Sequence, residues 1–176
     1  MKIIDNYLSD NLFNDVYDYI HNTNIFWLLG KKANDNSTNE HHFHLFHNFI
    51  YDSKPVYKNS NKLPVEIMSV YAKQVKQNFE IGRARANLFI KTSNIHQHMG
   101  FHKDAKSDKD YTLLLYLEDS NGYTNFKDGY KVESKKNRAV IFSTALYHET
   151  VTQTNTFYRS NININFLPML IKEGAF

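Results

Sequence analysis

His102 and Asp104, separated only by Lys103, put an imidazole and a carboxylate two residues apart. On extended backbone, residues i and i+2 leave the chain on the same face, so both groups can reach one ion. A third donor stands at His148, 46 residues further on and at the start of a strand-like run. Two imidazoles and one carboxylate on one face of an octahedral ion leave three positions open, which a catalytic metal requires. His-x-Asp alone is a weak signal, because with nine histidines and 18 acidic residues a chance pairing of a loop histidine with a solvated acid is easily made. Arg159, eleven residues beyond His148, strengthens it. It falls on the polar side of the next strand-like run, and a guanidinium pairs with a carboxylate through two parallel hydrogen bonds while staying charged at any working pH.

Donors this far apart in the chain need a scaffold, and the hydrophobic periodicity describes one. Residues 9–22 place Leu12, Val16, Tyr17 and Ile20 at three- and four-residue intervals behind Ser9 or Asp10 as a first-turn cap, which predicts an amphipathic helix. Residues 63–79 open with Pro64 and repeat Val65, Met68, Val70, Tyr71, Val75 and Phe79, predicting a second and longer helix. Between them, 34–39 reads as a loop, and Phe43, Leu45 and Phe49 alternate as in a strand. From Arg83 the period changes to two, and short runs at 84–90, 111–117, 130–132, 138–142, 147–151 and 158–167 predict strands. Turn signals separate them at Asn121-Gly122, Asp128-Gly129 and Lys136-Asn137. Helices followed by many short strands predict a mainly β fold, a sandwich or jelly roll with the N-terminal helices packed on one sheet. Alternation then assigns faces. Ser160, Ile162, Ile164 and Phe166 oppose Arg159, Asn161, Asn163 and Asn165, while Leu113, Leu115 and Leu117 oppose Thr112, Leu114 and Tyr116. The apolar faces call for a helical cover, and the other faces can look into a cavity.

The order His102, Asp104, His148, Arg159 among short strands resembles the iron(II) and 2-oxoglutarate dependent dioxygenases built on a double-stranded β-helix, in particular the prolyl 4-hydroxylase-like group. The resemblance covers residues 83–167. The stretches 116–117, 121–126 and 137–142 also look like members found in phages and marine bacteria. It implies that His102, Asp104 and His148 hold Fe(II) and that Arg159 faces the distal carboxylate of 2-oxoglutarate. It implies further that Tyr116 hydrogen-bonds that carboxylate, that Thr112 lines the same pocket and that Asn87 meets the keto-acid end. Phe89 stands where related enzymes often carry a tyrosine, so one hydrogen-bond donor is missing. The activity implied is hydroxylation by dioxygen of a peptidyl residue of the prolyl type, or of a small metabolite, with release of succinate and carbon dioxide. Ascorbate comes with the resemblance as an accessory reductant. Asp104 argues for hydroxylation over halogenation, because related halogenases vacate that carboxylate position. The competing reading is a cupin-like jelly-roll binding module without catalysis, or one that uses another metal.

The remaining residues are expected to be structural or solvated. His41, His42, His44 and His47 fall on both faces of a strand, which predicts a surface role. His96 and His98 precede His102 and would contact substrate or occupy a loop over the site. Phe101 and Tyr147 flank the ligands and are expected to pack around the metal. Arg83, Arg85 and Arg138 read as solvated strand-end charges, although Arg85 shares parity with Asn87 and so can face a cavity and an acidic substrate group.

Bulk properties narrow the classes. At 176 residues the chain fits one domain, with 1–82 as support and 83–170 as the catalytic core. Its 41% hydrophobic and 22% charged composition is that of a globular protein. The net charge of +3 forms no continuous basic stripe, so nucleic acid is not an expected partner. With no cysteine, disulfides, thiolate nucleophiles and cysteine-ligated metals are excluded. The apolar run 25–29 is too short to span a bilayer, and the acids at Asp5, Asp10, Asp15 and Asp18 do not fit a signal peptide, which predicts a cytoplasmic protein with no membrane partner. The prime substrate and the choice between monomer and homodimer stay open at this stage.

Overall fold

A computed structural model describes residues 1–22, 25–30, 43–104 and 109–169. The predicted loop at 34–39, with His41 and His42, lies outside the described residues. In chain order the elements are β1 (Lys2–Ile4), α1 (Asp10–His21), β2 (Leu28–Gly30), β3 (His44–Tyr51), β4 (Lys54–Pro55), α2 (Lys62–Val75) and β5 (Phe79–Ile90). They continue with β6 (Tyr111–Tyr116), β7 (Tyr123–Phe126), β8 (Lys131–Glu133), β9 (Arg138–Ser143), β10 (His148–Val151) and β11 (Tyr158–Pro168). The larger sheet runs β1-β9-β6-β11-β5-β3-β2, with β4 paired to β3, and the smaller runs β10-β7-β8. All pairings are antiparallel. The molecule is a jelly-roll β-sandwich with flanking helices. No helix among the described residues is long and apolar enough to cross a membrane.

The helices form where the periodicity places them, and their ends have local causes. In α1 the Ser9 hydroxyl accepts from the Leu12 amide, and Phe13, Val16 and Ile20 turn inward. α2 stops at Val75, short of the predicted end, because Lys76 adopts the left-handed conformation (φ 55°) and closes the helix on the Ala72 carbonyl. Phe79 is therefore not the last helical apolar residue but the first of β5, and it packs on Tyr71 and Phe166 at ring distances of 5.4 and 4.9 Å.

Two apolar layers follow from strand alternation. Ile162, Ile164 and Phe166 join Leu113, Leu115 and Leu117 beneath α1 and α2 in the larger cluster. Leu114 and Tyr116 face the other way and meet Phe126, Val132, Val140 and Phe142 between the sheets. A bulge interrupts the pattern where Asn165 pairs with Arg83 but Phe166 pairs with Ile81, leaving Gly82 as the extra residue. That insertion lets Ile81 pack against the helix-side core while Arg83, of the same parity, borders the cavity. A second register shift between Asn48 and Ile50 sends the adjacent Phe49 and Ile50 both into the core.

The N-terminal segment is latched at Asn137. Its side chain accepts from the Leu8 amide (2.9 Å) and donates to the Leu8 carbonyl (2.8 Å), and its carbonyl accepts from the Tyr7 amide (2.9 Å). Asn137 is buried and left-handed, with φ 58°. Nearby, Arg138 does not stand solvated alone. It binds Asp5 at 2.6 Å and, with Lys135, holds that carboxyl down at about 2. Asn137→Ala loses two buried hydrogen bonds and adds left-handed strain, and should cost about 3 kcal/mol in urea unfolding. Asn137→Gly keeps the strain-free backbone and should cost about 1 kcal/mol less. Equal losses in the two variants would show that backbone strain plays no part there.

Candidate metal centre

His102 and His148 are joined by a two-residue backbone bridge, each amide donating to the other's carbonyl at 2.9 and 3.0 Å. The bridge ties the loop before β6 to the start of β10 and brings the two imidazoles to a centroid distance of 4.5 Å. Asp104 follows on the same side, its amide bonded to the Thr144 carbonyl at 3.1 Å. One ligand atom from each of His102, Asp104 and His148 lies within 4.8 Å of the other two. Both histidine Nε2 atoms sit 3.9 Å from the carboxylate. The Nδ1 atoms face carbonyls, His148 at Leu146 (2.9 Å) and His102 at Gly100 (3.4 Å). A carbonyl only accepts, so Nδ1 carries the proton and Nε2 presents a lone pair toward Asp104. The set of two imidazole nitrogens and one carboxylate suits a divalent iron site with open positions.

The carboxylate is fixed by four neighbours. Thr112 donates to Oδ2 at 2.6 Å, Asn163 and Asn165 donate to the same oxygen at 3.3 and 3.2 Å, and Arg83 donates to Oδ1 at 3.2 Å. Burial by itself would raise the pKa of Asp104, but electrostatic interaction with His148 and Arg83 and the Thr112 hydrogen bond outweigh it and hold the group well below the usual carboxylate range. His102 is shifted down by burial and by His148, with Asp104 opposing. Thr112, expected at a cosubstrate pocket, is instead fully buried and grips the acid. Arg83, expected to be solvated, does the same. Its role and those of Asn163 and Asn165 were not foreseen, although the polar parity of 159–165 had marked the face they occupy.

Arg159 lies on the same face of β11, four residues from Asn163, a run of about 13 Å at strand rise. It is fully buried, and none of its three guanidinium nitrogens has a hydrogen-bond partner among the described residues. Burial pushes it toward deprotonation, with Tyr116 and Glu118 opposing. The guanidinium carbon sits 5.2 Å from the Phe89 ring centre, so the phenyl that replaces the expected tyrosine offers a π face rather than a donor. A Cβ at Gly122 would come within 3.0 Å of Arg159 Nε, which makes the missing side chain a condition for this packing. A buried guanidinium without an anion costs several kcal/mol, so the position fits a carboxylate. Tyr116, also fully buried, hydrogen-bonds Thr124 (2.6 Å) and the Val132 carbonyl (3.4 Å). Asn87 lines the cavity and donates to Asn161 at 2.9 Å.

The triad opens on a cavity of about 680 Å³ between the sheets. His44 and His47 differ from the expected surface role, since both are buried. His47 bonds the Phe26 carbonyl and Tyr57, and His44 lines the cavity, stacked on Phe89 at 5.5 Å. His98 bonds the buried Glu149, which also accepts from Asn125 and the Gly100 amide and so secures the loop leading to His102. Nothing in the sequence beyond adjacency to His148 pointed to Glu149. His96 bonds the Thr152 carbonyl at 2.6 Å. Tyr147 does not pack around the triad. It is exposed, with the Lys103 and Lys127 ammoniums 4.7 and 5.0 Å from its ring.

Burial and the charge of Arg85 keep His44 neutral, pushed down to about 4 from its ordinary 6.5. Because the folded value lies below the unfolded one, the unfolded chain binds more protons between them, and stability falls as pH drops from 6.5 toward 4. His44 should therefore account for a loss on the order of 2 to 3 kcal/mol across that window. His44→Gln should flatten this part of the pH profile in chemical unfolding, and an identical slope in both proteins would remove His44 as its source.

No protein-family model matches the chain, and no curated protein is similar to it in sequence. Solved structures are. An oxidoreductase of the 2OG-Fe(II) oxygenase family from Burkholderia pseudomallei is 12% identical with a TM-score of 0.62, over 88% of this chain and 76% of that one. A prolyl-4-hydroxylase from Pseudomonas putida is 13% identical with a TM-score of 0.59, over 96% and 92%. A prolyl hydroxylase from Trichoplax adhaerens, in complex with a hypoxia inducible factor peptide fragment, is 13% identical with a TM-score of 0.62, over 94% and 82%. The chain has the fold of these 2-oxoglutarate and iron(II) oxygenases, the prolyl hydroxylases among them.

Proposed function

We propose that this chain is an iron(II) and 2-oxoglutarate dependent dioxygenase that hydroxylates a peptidyl residue of the prolyl type or a small metabolite. One observation carries the reading: two imidazoles and a carboxylate converge within 4.8 Å, and the same strand face that fixes the carboxylate ends in a buried guanidinium with no hydrogen-bond partner among the described residues. His102, Asp104 and His148 would hold the metal, and Arg159 the distal carboxylate of 2-oxoglutarate. When bound, these groups supply dioxygen activation coupled to conversion of 2-oxoglutarate to succinate and carbon dioxide, with hydroxylation of a substrate C–H bond.

The protein's own residues place and protect that chemistry. Carbonyl contacts at Nδ1 keep both Nε2 atoms unprotonated and aimed at one point. Thr112, Asn163, Asn165 and Arg83 keep Asp104 ionised and immobile. Phe126 and Phe142 flank His148 at ring distances of 6.0 and 4.9 Å and shut water out on that side. Tyr116 lies close enough to Arg159 to oppose the effect of burial and help keep the guanidinium charged.

A jelly-roll module that binds without reacting is the rival reading. Anaerobic titration with iron(II) and 2-oxoglutarate separates the two, because the enzyme should develop a weak visible charge-transfer band and a module without the site should not. His102→Ala and Asp104→Ala should abolish substrate-stimulated succinate formation, and full turnover in either variant refutes the ligand assignment. Arg159→Met should raise the KM for 2-oxoglutarate on the order of 100-fold. The same variant, free of ligand, should be more stable than the wild type by about 1 to 4 kcal/mol, since an unpaired buried charge is gone. A destabilised variant with an unaltered KM would contradict the role given to Arg159.

A further inference from the structure

Arg85 is a cavity cation that neither Asp104 nor the 2-oxoglutarate reading uses. It stands on β5 directly opposite Asn163 of β11 on one side and Asn48 of β3 on the other. Asn163 reaches the Asp104 carboxylate, so Arg85 lies one strand over from the residues that hold the triad. Arg83, two residues before it, is already bonded to that acid. Arg159 lies four residue pairs further along β11, opposite Phe89. Arg85 therefore borders the part of the cavity beside the metal ligands, on the β5 and β3 side.

Its guanidinium is set in place before any ligand arrives. The central carbon lies 4.5 Å over the Phe46 ring, and Nε donates to the Asn48 side chain at 3.1 Å. The two terminal amino groups make no hydrogen bond among the described residues, which leaves a rigid pair of donors at the cavity wall. The surroundings carry one sign of charge. Among the described residues lining the cavity, Arg83, Arg85 and Lys103 are cationic and Asp104 is the sole acid, already surrounded by donors. A low-dielectric cleft lined this way concentrates anions. His44, held neutral beside Arg85, adds no competing charge.

We propose that the prime substrate carries an anionic group, a carboxylate or a phosphate, and that Arg85 binds it at the mouth side of the triad. The proposal rests on the dioxygenase reading for the word substrate, but the anion site itself stands on Arg85 and the cavity. Arg85 fixes which molecule is held over the metal and is a specificity residue rather than a ligand of the metal.

The test is a titration of the metal-free protein, followed by NMR, with three blocked probes of matched size. These are the α-amides of N-acetylglutamate, N-acetylphosphoserine and, as the neutral control, N-acetylglutamine. At least one anionic probe should bind about ten-fold or more tightly than the neutral one and shift the Arg85 Nε–H resonance. Whichever anionic probe binds more tightly identifies the group as carboxylate or phosphate. Arg85→Gln should erase the preference, and Arg85→Lys, which keeps the charge but loses the fork, should bind the anion about ten-fold more weakly than wild type. If Arg85→Gln does not fold, the lysine variant alone decides. The proposal is overturned by equal binding of the neutral probe, by no anion binding to the wild type, by a response confined to Arg159, or by unchanged anion affinity in the lysine variant. Lack of iron-dependent 2-oxoglutarate turnover would sink the dioxygenase reading separately, because these titrations use neither metal nor turnover.

Discussion

β11 lies between β6 and β5 and pairs with both, so almost everything in the molecule is referred to the two faces of this one strand. Side chains leave a strand alternately, and here the alternation separates two incompatible environments. Ile162, Ile164 and Phe166 anchor the layer beneath the helices, while Asn161 and Asn163 line the inter-sheet cavity and Arg159 and Asn165 share their face of the strand. A slip of one residue would bury three amides and a guanidinium under the helices and drive the apolar set into the site. The core thus fixes the register, and the register fixes where the carboxylate of Asp104 and any anion at Arg159 can be held.

Two buried charges on that face are treated in opposite ways. Asp104 has four hydrogen-bond donors around it and is kept ionised before any metal arrives. Arg159 has no hydrogen-bond acceptor among the described residues, only the Phe89 ring and the nearby Tyr116 and Glu118. A satisfied acid beside two lone pairs is arranged as a cation site would be, and an unsatisfied guanidinium at the far end as an anion site would be. The second costs stability in the free protein, which is the usual form of a tension between folding and function. Arg85 differs from both, since it is partly exposed at the cavity wall and braced by Phe46 and Asn48.

The fold places this chain beside 2-oxoglutarate and iron(II) oxygenases at identities of 12 to 13%, where backbone architecture persists although most side chains have changed. A jelly roll does not specify chemistry. The functional reading therefore depends on what this chain itself places in the cavity: the ligand set, the tautomers fixed by Leu146 and Gly100, and the cationic lining.

The sequence by itself determined which faces α1, β6 and β11 present. The leucine parity of 111–117, the split of 159–166 and the apolar interval of α1 all follow from local geometry, because a side chain's direction depends only on its own stretch of backbone. Spacing likewise made His102 and Asp104 neighbours. The short strands β1, β2 and β7 were not legible, since three or four residues hold too little periodicity and exist through their partners. The left-handed Lys76 that ends α2, and the bulge at Gly82 that sets Ile81 and Arg83 on opposite faces, left no local mark either. Only the tertiary structure decided that His148 bridges to His102, that Thr112 and Arg83 serve Asp104, that His44 and His47 are buried and that Arg159 has no hydrogen-bond partner among the described residues. Those are facts about which residue stands opposite which, and opposition across a sheet is set by the register between distant segments, which no single stretch of sequence contains.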